Sequence, residues 1–415
     1  MEKLKSVIEY LKTFFKWVVI ATVIGLIGGL VGTLFHISVY FVTETRIHHS
    51  WLIYLLPLGG LLLVGITKLC RSDGVMNTNI VLDCVRIDKK VPALMAPLIF
   101  ISTVITHFFG GSAGREGAAL QIGGSLGYRV GRLFRLNDPD MRLVVIAGMS
   151  AVFTALFGTP LTATVFAIEV VSVGVMYYVA LLPCVIASFC AYMVANAFNV
   201  PPVHFEIAAF PEISVVIMVK AIVLAVICAI VSILFCLTIK KTEKLAEKYF
   251  PNDFVRILAG GAILVLLTIA LRTYDYNGAG MDIIERAIGG EAKPEAFILK
   301  IIFTAITIAA GFKGGEIVPT FFIGSTLGCV AGSLLGLDPG IGAAIGFVAL
   351  FCGVVNCPVA SILLAVEVFG AADWALVFLA VCAVSYMMSG YTSLYKSQRI
   401  MYSKTEAKYI NAHTK

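Results

Sequence analysis

The sequence predicts an all-α polytopic membrane protein built from two related halves of tilted and broken helices. Three observations carry that reading: a composition too apolar for a solvated globule, a series of uneven apolar runs cut by glycine and proline, and an internal repeat. The chain has 415 residues, of which 59% are hydrophobic and 13% charged, and its mean hydropathy is +0.95. Soluble chains carry roughly one quarter charged residues, and single soluble cores seldom grow to this length. Half the usual charge does not cover such a surface, so soluble enzymes are excluded, and the length excludes a single-anchor receptor. The net charge of +6 comes without an aromatic-interleaved basic patch, so no nucleic-acid partner is expected. Ten cysteines form no CxxC pair and sit mostly in apolar runs. They read as small buried hydrophobes, and neither a metal nor a cofactor is expected.

Taken in order, the apolar runs lie near 17–42, 51–69, 91–110, 142–171, 174–199, 213–238, 255–271, 297–311, 317–336, 340–369 and 374–389. The first is longer than a signal-peptide core and lacks a small-residue cleavage site, so no cleavable signal is expected. Some runs fit single spans of about 20 residues; others are too long or too short. Gly158–Pro160, Gly311–Pro319 and Gly353–Pro358 interrupt them. Irregular backbone at membrane depth must be buried in protein or line an aqueous cavity, because lipid satisfies no free N–H or C=O. The pattern therefore points to a transporter or channel with re-entrant helices. Lysine and arginine set the orientation. Lys3, Lys5, Lys12 and Lys16, the mid-chain loop Lys240–Lys248, and the tail from Lys396 to Lys415 are all basic, which puts both termini in the cytoplasm. The division is a cytoplasmic segment 1–16, a first membrane repeat 17–205, a second 206–395, and a short cytoplasmic tail 396–415 with no separate regulatory domain.

The repeat is read from two ordered matches. Gly114-Arg115-Glu116-Gly117 leads to Ile122-Gly123-Gly124-Ser125-Leu126-Gly127, and Gly314-Gly315-Glu316 leads to Ile323-Gly324-Ser325-Thr326-Leu327-Gly328; the glutamates are 200 residues apart. Next, Pro160 precedes Glu169 and Pro358 precedes Glu367, both by 9 residues. Two such halves around a central site are the usual plan of secondary transporters.

A helix beginning near Gly117 aims free N–H groups and its positive dipole end at the 114–117 turn, which makes an anion site. Ionised, Glu116 can fill that site; protonated, it can leave and admit an anion, so that anion and proton compete for one place. The plainer reading is that Glu116 caps the helix and Arg115 pairs locally. Glu316 stands in the mirrored position, where it handles a second proton, caps its own helix or pairs with Lys313. Pro319 suits a first helical turn. Glu169 and Glu367 read as structural end-caps or surface groups. Tyr395 is either an anion donor or an interfacial belt residue. Met76 and Asn77 precede a helix starting near Asn79 and are either pore lining or linker. Gly114, Phe321 and Phe322 are pore-lining candidates, although for Phe108, Phe109, Phe321 and Phe322 taken singly the plainer reading is a lipid-facing ring.

These motifs resemble the CLC family of chloride channels and anion/proton antiporters over residues 20–400. Gly114-Arg115-Glu116-Gly117 with Gln121-Ile122-Gly123-Gly124 is similar to its most specific motif, with Ala118 where the family usually has proline. Gly314-Gly315-Glu316-Ile317-Val318-Pro319 resembles its second pore motif, and Ser393-Leu394-Tyr395 the end of its last membrane helix. The resemblance implies an inverted-repeat fold, a homodimer with one pore per subunit, and a bacterial plasma (inner) membrane location. It assigns gating and proton transfer to Glu116 and Glu316. Anion binding falls to Arg115, Gly117, Met76, Asn77, Ile317, Val318 and Tyr395. The departures narrow the substrate. Chloride-selective members carry a coordinating serine where this chain reads Gly74-Val75-Met76-Asn77-Thr78, and Glu316-Ile317 replace an aliphatic residue and phenylalanine. Val170 stands where many chloride exchangers have an internal proton-transfer glutamate. The combination resembles the bacterial fluoride-exporting branch, although Val318 replaces that branch's threonine. The expected function is fluoride export in exchange for protons, with chloride/proton antiport or a voltage-gated chloride channel as the alternative. An enzyme using Glu116 and Glu316 as an acid–base pair leaves the broken-helix repeat unexplained.

Overall fold

Glycine and proline cut the apolar runs into two parallel series of helices. The structure is a computed structural model that describes residues 2–70, 78–207 and 210–414, with side chains from residue 7 onward. Met76 and Asn77 lie outside the described residues. The first series is α1 (Glu2–His48), α2 (Leu56–Leu69), α3 (Thr78–Ile87), α4 (Met95–Phe108), α5 (Glu116–Leu133), α6 (Asp138–Phe157), α7 (Pro160–Glu169) and α8 (Leu181–Ala197). The second is α9 (Val215–Tyr249), α10 (Asp253–Leu271), α11 (Met281–Ile288), α12 (Ala296–Ala310), α13 (Ile317–Leu334), α14 (Pro339–Val355), α15 (Pro358–Phe369) and α16 (Ala375–Met388). Each series opens with its longest helix. Each also breaks before its seventh in the same way: Gly158 (φ 69°) or Asn356 (φ 58°) ends one helix in the left-handed conformation, and proline starts the next. A left-handed residue satisfies the last carbonyls, and proline at the first position loses no needed N–H. Among the described residues, seven helices are long and apolar enough to cross a membrane, with shorter apolar helices between them.

The core is made by small residues. α5 packs on α6, and α13 on α14, at backbone contact. A Cβ on Gly123 would overlap the carbonyl of Gly148, and one on Gly324 the carbonyl of Gly346. Without a hydrophobic drive between helices in lipid, such close approach supplies the packing. The outer faces of α1, α9 and α10 expose Leu30, Phe41, Val216 and Leu266, an apolar surface suited to acyl chains.

Glu169 and Glu367 are caps, but each caps the other series. Glu169 at the end of α7 accepts from the backbone N–H groups of Val359 (3.2 Å) and Ala360 (2.8 Å) at the start of α15. Glu367 on α15 accepts from those of Leu161 (3.0 Å) and Thr162 (2.8 Å) at the start of α7. Each carboxylate thus meets the positive end of a helix 190 or more residues away, and satisfies N–H groups that lipid cannot.

Three features depart from the sequence reading. The basic N-terminal segment is part of α1, and Lys240–Lys248 lie on the last turns of α9 rather than in a loop. α11 is a short amphipathic helix whose apolar residues, Ile283, Ile284, Ala287 and Ile288, are buried. Its apolar stretch is too short to stand out as a span. The tail is not a plain polar extension: β2 (Arg399–Tyr402) pairs antiparallel with β3 (Tyr409–His413), and its other edge pairs in parallel with β1 (Ser172–Val173), just after α7.

Candidate anion and proton site

Two turns cross between the series. Gly114 and Gly315 exchange backbone hydrogen bonds, N to O, of 2.6 and 2.7 Å, and α5 and α13 begin within two residues of them. A Cβ on Gly315 would overlap the amide nitrogen of Gly117, and one on Gly114 the Glu116 carboxylate. Only glycine permits this approach. It brings the N-terminal ends of two half-helices, each with free N–H groups, to one place.

Glu116 occupies that place. It is fully buried, and its Oε2 accepts from the backbone N–H of Arg115 at 2.9 Å. Oε1 lies 3.8 Å from Arg115 Nε and has no hydrogen-bond partner among the described residues. Val318, in the first turn of α13, lies beside the same carboxylate: the place a Cβ on Gly114 would take adjoins both Glu116 Oε2 and the Val318 side chain. One carboxylate therefore sits against both half-helix ends, where the dipoles favour negative charge. The local Arg115 contact is present too, so the plainer reading of this pair describes part of the geometry.

Glu316 immediately precedes α13 and makes no capping hydrogen bond with its side chain. Thr320 Oγ1 donates to its carbonyl instead, at 2.8 Å. A Cβ on Gly117 would stand 3.6 Å from Glu316 Oε2, which puts the second carboxylate beside the start of α5. Lys313, Glu243 and Lys396 lie within electrostatic reach of it.

A cavity of about 410 Å³ runs to Glu316 and Tyr395 from a charged mouth that includes Lys240, Glu243, Arg256 and Lys396. Tyr395 is buried, and its hydroxyl has no hydrogen-bond partner among the described residues. Gln121 and Thr78, which the sequence reading did not single out, also border this cavity. Gln121 Nε2 donates to Thr78 Oγ1 and to the Gly117 carbonyl, both at 3.2 Å, tying α3 to the first turn of α5. The signal for Gln121 was its place in the 114–124 motif; Thr78 had none.

The remaining candidates fall as follows. Ile317 and Val318 are buried, at the start of α13. Phe321 stacks on Phe347 (ring centroids 4.0 Å apart) within an aromatic core, and Phe322 lies under the buried Lys300 ammonium at 4.9 Å. Neither ring borders the cavity.

Known proteins match this architecture along most of its length. The profile described as voltage gated chloride channel matches residues 77–390. The "Chloride/fluoride channel protein" of Pseudomonas syringae pv. tomato is 35% identical over 396 residues, 94% of this chain and 87% of that protein. The H+/Cl− exchange transporter ClcA of Vibrio campbellii is 25% identical over 386 residues, 86% of this chain and 82% of that protein. Among solved structures, that of a CLC-type fluoride/proton antiporter superposes with a TM-score of 0.89 at 31% identity, covering 92% of this chain and 98% of that one. A slow cyanobacterial Cl−/H+ antiporter shares the fold, with a TM-score of 0.77 at 20% identity over 90% and 94% of the two chains. Crossed half-helices, a repeated broken-helix series and matches over nine-tenths of the sequence lead to one conclusion: the chain belongs to the CLC family, whose members are membrane transporters and channels and not enzymes.

Proposed function

We propose that this chain exchanges a halide for protons across the bacterial plasma membrane, and that fluoride, moving outward, is its preferred anion. The observation that carries the reading is the Glu116 carboxylate lodged where the starts of α5 and α13 meet, bonded to the Arg115 N–H and beside Val318. When Glu116 takes a proton, its claim on those N–H groups weakens and a free anion takes its place; when it releases the proton, the anion is expelled. Glu316, beside Gly117 and at the inner cavity, is the second proton-handling group, and Tyr395 gives its hydroxyl to the anion from the cavity side. Fluoride is small, strongly hydrated and the most basic halide. Its site needs close donors in place of water, and a protonated carboxyl group supplies a short charge-assisted bond. Arg115, Gly117, Ile317 and Val318 shape the site through their backbone, and Met76 and Asn77, outside the described residues, are the further anion-binding candidates of the sequence. The working protein is a homodimer with a pore in each subunit and both termini in the cytoplasm.

Proton-coupled chloride exchange is the second reading. The wider group of relatives favours it, since the Vibrio proteins at 24–25% identity are named H+/Cl− exchange transporters. The residues that favour fluoride are Glu316 and Ile317 in the second pore motif, and the stretch 74–78, which lacks the coordinating serine and carries Met76. Ion flux from reconstituted vesicles, with fluoride and chloride compared under controlled pH and voltage, decides between them. Fluoride flux should drive protons, with chloride much slower. Equal rates for the two anions would leave the chloride reading standing, and a reversal potential that ignores a pH gradient would select a channel.

A further inference from the structure

The anion-site tyrosine lies four residues before the tail hairpin, and the structure shows what holds the turn between them. Gln398 is fully buried. Its Nε2 donates to the carbonyls of Val170 (3.0 Å) and Val355 (2.9 Å), at the ends of α7 and α14. Its Oε1 accepts from Ser393 Oγ (2.7 Å) and from Asn356 Nδ2 (3.4 Å). Two donors and two acceptor positions are the full capacity of the amide, so this side chain is completely committed. Ser393 passes the restraint on: its Oγ accepts from the backbone N–H of Tyr395 at 3.1 Å. The Tyr395 carbonyl in turn accepts from the Gln398 N–H at 3.1 Å and from Thr414 Oγ1 at 3.0 Å, the latter just beyond β3. Both backbone polar groups of Tyr395 are therefore engaged, while its hydroxyl is left without a partner among the described residues.

The hairpin fixes Gln398 itself. The next residue, Arg399, opens β2 in register with Ser172 of β1, two residues after Val170. Lys404, between the strands, donates to the Tyr386 carbonyl (2.8 Å), to Ser389 Oγ (3.1 Å) and to Asn356 Oδ1. Asn356 Nδ2 donates to the Thr392 carbonyl at 2.9 Å. The tail thus clamps the 389–398 turn against the ends of one helix from each series.

We infer that Gln398 and Ser393 are positioning residues for the anion site: they hold the Tyr395 backbone so that its hydroxyl points at the bound halide, with the tail hairpin as their anchor. The inference rests on the reading of Tyr395 as an anion donor. It follows from the chemistry of an unpaired hydroxyl on a short turn. Such a group loses its advantage over water unless its direction is set in advance, because ordering it at the moment of binding consumes the interaction.

The test is anion flux from vesicles containing the full chain, reading half-saturating anion concentration and maximal rate separately for fluoride and chloride. Gln398→Ala and Ser393→Ala should each raise the half-saturating concentration roughly three- to tenfold, in keeping with loss of one well-directed hydrogen bond, with a smaller change in maximal rate. Ser393→Ala spares the contacts to Val170 and Val355 and serves if Gln398→Ala does not fold. In a Tyr395→Phe background neither change should add to the tyrosine's own effect. Effects that multiply in that background, or unchanged half-saturation in both variants beside an impaired Tyr395→Phe, overturn the inference while leaving Tyr395 in its role. A Tyr395→Phe protein with wild-type anion dependence overturns both.

Discussion

Replacing Glu116 by glutamine keeps the shape of the side chain and its carbonyl acceptor but removes the exchangeable charge. If this carboxylate is the rival of the anion, Glu116→Gln should lower proton flux about 100-fold or more, the scale of a lost general acid–base group, and should strongly alter anion flux. Wild-type proton transport in that variant would remove Glu116 from the mechanism. Glu316→Ala removes a carboxylate that makes no capping bond. It should shift fluoride preference or the coupling ratio while leaving thermal stability within about 1 kcal/mol; unchanged selectivity and stoichiometry would mean that Glu316 does no more than adjoin the cavity. Both glutamates were legible in the sequence because each stands in a glycine turn before a half-helix. Thr78 and Gln398 were not. Their roles depend on partners 43 and 228 residues away, and no local pattern in a sequence announces such a bond.

At the level of helices, the crossed turns and the exchanged caps join the two series. Gly315→Ala forces a side chain onto the backbone of Gly117. The expected result is about 1–3 kcal/mol of lost stability, read as a lower unfolding temperature in detergent, with flux lost in proportion to the displaced α13. Glu367→Ala and Glu169→Ala each free two backbone N–H groups. Each should cost about 0.5–2 kcal/mol, the usual range for a lost helix cap, and Glu169→Ala should stand at the upper end because its site is the more buried. A double variant near the sum of the singles is expected, since the caps share no partner; thermal unfolding of the three proteins checks this. The breaks before α7 and α15 were readable because proline and a left-handed residue leave local marks. The β1–β2–β3 sheet was not, since strands of two, four and five residues carry too short an alternation to register.

Across the whole molecule the distribution of polarity follows the bilayer. Large apolar side chains face outward on the long helices, charged groups gather at the cavity mouth, and Lys396 meets Glu243 at 2.7 Å where the tail crosses the end of α9. Two related halves were the expectation drawn from glutamates 200 residues apart, but neither the number of helices in each nor the way the series grip one another was foreseeable, because the grip is written in contacts between them. That grip has a consequence for assembly. Neither series caps the start of its own seventh helix, for the carboxylate that does so belongs to the opposite series. A chain severed between the two repeats, after residue 205, should therefore behave as a pair of orphans: each fragment made alone is degraded or aggregates, whereas the two made together reunite and regain anion flux.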